Sequence, residues 1–169
     1  DLDPMRANLV GVSLCIEPGK GCYVPLRHIS SADQGALYLG GDTNPEQGPP
    51  QISVAEAMEV LKRLLEDPGV LKIGHDIKAS MQLLARHGIA VAPVEDTMLL
   101  SYVLEGGKHG HDDLAELANL YLGRTTTAVD TLTGSGRDRI SFCEVDIERA
   151  ATFAAENAEA TLALHRALK

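Results

Sequence analysis

His109, His111, Asp112 and Asp113 fall in one short run, and imidazole with carboxylate is the donor set of many zinc sites. With no cysteine or third histidine at ligand spacing, the run reads instead as a loop entering a helix. Ser80 lacks the His and Asp frame that makes a serine nucleophilic. Gly40-Gly41 has no strand–loop–helix frame around it, which excludes a phosphate-binding loop. Cys15, Cys22 and Cys143 are an odd number without metal spacing and read as buried, reduced thiols of a cytoplasmic protein. What remains is a set of carboxylates, Asp76, Asp96 and Glu156, and the cations Lys78, Arg137 and Arg139, which have the charge to touch a strand's phosphates. Asp96 stands directly before an apolar run, where a helix cap is the simpler reading.

These side chains sit in a chain of 169 residues, one domain's worth, with 44% apolar and 23% charged residues. That is ordinary globular composition, and a chain this long can bury a proper core. Only 4% of residues are aromatic and Trp is absent, so Leu, Val, Ile and Ala must build that core. No run approaches the ~20 apolar residues of a membrane span. The net charge of −9 argues against a domain that holds DNA tightly by itself, because such domains usually show a basic face. It leaves room for a strand delivered by a basic neighbour.

Asn8–Ile16 alternates as a strand, Glu17–Gly21 turns, and Cys22–Leu26 returns, which predicts an antiparallel hairpin. Arg27–Gln51 has little periodicity and reads as a surface loop. Ser53 and Glu56 form a capping box for a helix to about Glu66, burying Ala57, Val60, Leu61 and Leu64. Asp67-Pro68-Gly69 ends it. Val70–Gly74 is a short strand, Ile77–His87 a helix closed by Gly88, and Ile89–Val94 is extended. Asp96 caps a helix over Thr97–Leu104, with Met98, Leu99, Tyr102 and Val103 as core candidates. Asp112 caps Leu114–Leu122, and Thr125–Arg139 is a polar connection. Val145–Glu148 opens a last helix that runs to the end, rich in alanine and free of glycine and proline. The order implies an α/β sheet covered by helices.

That last helix carries Phe153-Ala154-Ala155-Glu156-Asn157-Ala158, then Thr161-Leu162 and His165. It resembles the third motif of the DEDD-type 3′–5′ exonucleases in the form carried by the proofreading domain of bacterial DNA polymerase I: Tyr-Ala-Ala-Glu-Asp-Ala, then Thr-Leu and a His. Leu65-Glu66-Asp67 with Leu71–Lys78, Leu84–Ile89, Asp96–Leu99, His109–Ala115 and Tyr121-Leu122-Gly123 resemble further segments of that domain in the same order. The resemblance spans nearly the whole chain. It implies a single domain over residues 1–169 within a longer polypeptide, with a ribonuclease H-like mixed sheet flanked by helices. It also implies a covalently linked polymerase domain as partner, DNA reached through the parent protein, and a role in replication and repair.

The family's chemistry needs two divalent ions about 4 Å apart that clamp the attacking water and the leaving oxygen of a phosphodiester. Hard Mg²⁺ or Mn²⁺ ions want several carboxylate oxygens. The resemblance supplies an Asp-x-Glu pair on the first strand, an Asp in each of two later motifs, and a Tyr one helical turn before the last Asp. Here the second-motif Asp falls on Ser80, the third on Asn157, and the Tyr on Phe153. The Asp-x-Glu pair belongs upstream of Asp1, and Asp1 and Asp3 fall after it. Asn157 keeps a carbonyl oxygen without charge, and Ser80 is too short to replace a carboxylate. One lost catalytic contact of this sort typically costs ~10²–10³-fold in rate.

The expectation is therefore a domain with vestigial positions Ser80, Phe153 and Asn157, no bound metal, and at most weak DNA contacts at Asp76, Lys78, Arg137 and Arg139. Two alternatives stand beside it. One is an active exonuclease with an Mg²⁺ or Mn²⁺ pair, using Asp76 or Glu156 as substitute ligands, although Glu156 lies about 100° around the helix from Asn157. The other is a separate protein-interaction domain. The resemblance also implies that the central first strand is missing from this chain, leaving unpaired strand edges.

Overall fold

The computed structural model describes residues 3–29, 50–108 and 110–169. Two strands, β1 (Gly11–Cys15) and β2 (Gly21–Pro25), form the expected antiparallel hairpin, with Val12 opposite Val24 and Leu14 opposite Cys22. Ile16, assigned to the first strand, lies beyond its end and is exposed. Helix α1 (Val54–Leu65) follows, then β3 (Lys72–Gly74), α2 (Ile77–Ala85) and β4 (Val94–Asp96), with β4 parallel to β3. Helices α3 (Thr97–Glu105), α4 (Leu114–Leu122), a single turn α5 (Asp130–Thr133) and the long α6 (Ile147–Leu168) complete the chain. The mixed α/β class is as expected. Among the described residues the strands fall into two pairs, β1–β2 and β3–β4.

Local chemistry places the helices. The Ser53 hydroxyl accepts the Glu56 amide at 3.2 Å while the Glu56 carboxylate accepts the Ser53 amide at 3.2 Å, so the predicted capping box forms. Helix α1 turns Ala57, Met58, Leu61 and Leu65 inward. Val60 and Leu64, expected inside, are exposed instead, because an inward stripe through Leu61 and Leu65 puts them on its margin. The cap of α4 is Asp113, which accepts the Ala115 amide at 2.8 Å, and not Asp112. Asp146 caps α6 by accepting from Glu148 and Arg149.

Helix α6 packs across β1, β2 and β3 and against α3 and α4. Its alanines Ala150, Ala154 and Ala160 are buried, and short side chains let the strands come close. The approach is tightest at Gly21 of β2, where any Cβ would collide with the Ala155 carbonyl. One core cluster joins Leu9 and Leu26 to α1 and to Ile89 and Val91. A second joins Leu117 of α4 to Leu164 and Leu168 of α6.

Two sequence readings need correction here. His28, placed in a surface loop, is buried: its Nδ1 lies 3.0 Å from the Val145 carbonyl and its Nε2 2.8 Å from the Tyr23 hydroxyl. The Gln51 side chain, at the far end of that assigned loop, accepts the His28 amide at 2.7 Å and donates to the His28 carbonyl at 2.9 Å. Residues 30–49 of that loop, with Gly40-Gly41, lie outside the described residues. The three cysteines are free thiols, as expected, but Cys22 is exposed and Cys15 and Cys143 are only half-buried.

Candidate functional site

Between the two strand pairs lies a cavity of about 590 Å³, walled by β1, by β3 and its flanks, and by faces of α1, α2 and α6. Most of its lining is apolar, with Leu14, Ile73, Met81 and Leu84 prominent. Ser80 reaches it from α2 and Asn157 from α6. Two positions far apart in the chain thus converge on one space, the convergence that the motif resemblance implies.

Phe153, one turn before Asn157, is turned elsewhere. Its ring packs on Phe142, with centroids 5.9 Å apart, and Phe142 packs on His28 at 5.9 Å. The two phenylalanines flank a cluster with Leu132, Val145 and Ala150 at its centre and Tyr23 on its edge. Burial pushes the Tyr23 phenol up from 10.0 to about 12.

The mouth of the β3–α2 junction is fixed by Asp96. This buried carboxylate accepts the Asp76 amide at 3.1 Å, the Ile77 amide at 3.0 Å and the Met98 amide at 2.9 Å. Its reading as a helix cap is correct, and the same group also holds the neighbouring helix. Asp76 itself is exposed and takes a left-handed backbone, φ 46°, with no cap bond from its side chain. Asp and Asn tolerate that region better than most residues. His75 bridges the junction, Nδ1 at 2.9 Å from the Thr97 hydroxyl and Nε2 at 3.2 Å from the Asp112 carbonyl. Nothing in the chain's periodicity pointed to His75, whose two partners lie on later elements.

The remaining candidates scatter. Glu156 accepts the Thr127 amide at 3.1 Å, so it anchors the connection after α4. Lys78 and Arg137 are exposed and do not line the cavity. Arg139 pairs with Asp130 at 3.5 Å. His109 and Asp1 lie outside the described residues. His111 follows α3 and is buried against it, Nδ1 2.9 Å from the Ser101 hydroxyl and its ring edge-on to Tyr102. Asp3 accepts the Met5 amide in its own turn.

The two motif positions that line the cavity are Ser80 and Asn157. A hydroxyl at Ser80 and an amide at Asn157 bring no charge, and among the described residues no three His, Cys, Asp or Glu side chains form a group able to hold a metal ion. Nor is any described helix long and apolar enough to cross a membrane.

Residues 1–169 match the 3′–5′ exonuclease family. The chain is 40% identical to DNA polymerase I of Rhizobium leguminosarum and 36% identical to that of Pseudomonas aeruginosa, in each case over 99% of this chain and 17% of the relative. It thus spans about a sixth of the curated relatives it matches. Among solved structures, one described as the apo form of a nuclease superposes over 99% of this chain and 66% of its own, with TM-score 0.65 and 18% identity. A second, described as the POL domain of Pol1 from M. smegmatis in complex with DNA primer-template and dNTP, covers 89% of this chain and 18% of its own, with TM-score 0.56 and 23% identity. The chain belongs to the 3′–5′ exonuclease family of DNA polymerase I.

Proposed function

We propose that this member of the 3′–5′ exonuclease family no longer cleaves phosphodiesters and serves as a structural module beside a polymerase domain in the same polypeptide. One observation carries the reading. The two positions that converge on the cavity offer a hydroxyl and an amide, where paired Mg²⁺ or Mn²⁺ would need carboxylates. Phe153 adds to it, because its ring is engaged with Phe142 and has no hydroxyl to orient a water. The nearby acids do not compensate: Asp96 is committed to three amides and Glu156 to a fourth.

The cavity has a second role in this reading. Among the described residues β1 pairs only with β2 and β3 only with β4, and the cavity runs between them. Its apolar walls suit an extended apolar segment of the parent chain, which would pair with backbone on both sides. The turn at Asp3–Ala7 is closed by two amides on the Asp3 carbonyl and pinned where Arg86 donates to the Pro4 carbonyl at 3.0 Å. Carboxylates arriving on such a segment still meet neutral side chains at Ser80 and Asn157.

A degradation assay on the full-length parent tests the reading, with a 3′-mismatched primer and Mg²⁺ or Mn²⁺. The natural protein is expected to release no mononucleotides, and the Ser80→Asp, Asn157→Asp double variant to gain release. Metal-dependent mononucleotide release by the natural protein overturns it.

A further inference from the structure

We propose that the outward face of α3, formed by Leu99, Tyr102 and Val103, is a docking surface for the part of the parent polypeptide that follows Lys169. The three side chains are 56%, 57% and 78% exposed. Their spacing of three and four places them on one stripe of the helix. Thr97 and Ser101 face inward and are fully buried, and Leu100 packs on the cluster of α4 and α6, which leaves Leu99, Tyr102 and Val103 outward. From Thr97 to Leu104 the helix has no charged residue. A helix that is apolar all round is normally covered all round, and here the domain covers one side.

The occupant follows from size and position. A nine-residue helix is roughly 14 Å long, and one face of it falls well short of the ~800 Å² per partner that a stable interface between separate molecules needs. A segment of the same chain, held at high effective concentration, has no such requirement. Helix α6 ends beside α3: the Lys169 ammonium donates to Glu95 Oε1 at 2.7 Å, and Glu95 lies on β4 just before Asp96, the cap of α3. Lys169 therefore lies beside the start of α3. Its relatives are about six times longer, since this chain spans 17% of their length. The proposal rests on the domain's being part of a longer polypeptide and not on the loss of cleavage.

The test uses purified full-length parent with the photo-crosslinker benzoylphenylalanine at position 103, and a control at position 60, where Val60 of α1 is 66% exposed. Position 103 is expected to crosslink, within one molecule, to residues beyond Lys169. Crosslinking to a second copy, to residues 30–49 of the domain, or no more than the control gives, overturns the proposal. Val103→Glu with Leu99→Glu, both outside the core, should speed proteolytic cutting just after Lys169 severalfold. An unchanged cutting rate counts against it in the same way. Neither readout depends on nuclease activity.

Discussion

The carboxylate of Asp96 holds the backbone of Asp76 in its left-handed turn: one oxygen accepts the Asp76 amide at 3.1 Å, and the other accepts the Ile77 amide at 3.0 Å. The first oxygen also caps α3 through Met98. One buried anion thus ties the starts of two helices to the ends of two parallel strands, and so sets where Ser80 stands.

Asp96→Ala should therefore be among the most damaging single changes in the domain. Each bond to an ionised acceptor contributes about 1.5–3 kcal/mol, so a loss of about 3 kcal/mol or more is expected in urea denaturation. Asp96→Asn keeps one acceptor oxygen and should lose less. Equal losses for the two variants would mean that the single oxygen kept by Asn holds none of these amides.

Glycine 21 gives a second prediction. A Cβ there meets the Ala155 backbone carbonyl, whereas a Cβ on Gly11 meets the movable Tyr23 side chain. Gly21→Ala should cost more than Gly11→Ala, with overpacking of this kind typically about 1–3 kcal/mol. Combining Gly11→Ala with Tyr23→Ala should remove most of the clash term in a double-mutant cycle. A purely additive cycle would be the contrary result.

Acid should weaken the tie between β4 and α6. The Lys169 ammonium, then the His165 ring, hold the Glu95 carboxyl below its ordinary 4.5. A group with a lowered folded pKa contributes stability that is present above its unfolded value and is lost as pH falls through the folded one. The acid limb of stability below pH 4.5 should therefore flatten in Glu95→Gln, and an unchanged limb would remove Glu95 from the account.

At the other end of the pH scale, the Tyr23 phenol stays protonated in the folded protein to about 12. The sign is opposite: a raised folded pKa gives stability that is full below 10.0 and is lost as pH rises toward 12. Ultraviolet titration should show one phenolate appearing late, and Tyr23→Phe should abolish that step.

Some of this was legible in the chain and some was not. Ser53 with Glu56, and the alanine-rich run after Asp146, carry their own start signals, so α1 and α6 were readable. Helix α3 was readable from its Asp96 cap, but its faces were not: with so few polar residues, its periodicity does not say that Thr97 and Ser101 face inward and Leu99, Tyr102 and Val103 outward. His28 was hidden for another reason. Its partners, Tyr23 and Val145, meet it only in three dimensions, and its neighbours in sequence have no period. Ser80 and Asn157 could be paired in advance only through family motifs, because no local rule joins a residue of α2 to one of α6.

The clasp of Gln51 on both backbone groups of His28 closes the neck of an intervening stretch much as a ladder pair closes a hairpin. With the neck fixed, the entropy of what lies beyond grows only as the logarithm of its length, by about 0.6 kcal/mol for each doubling. A change of length between His28 and Gln51 therefore adds little to the cost of closing that neck.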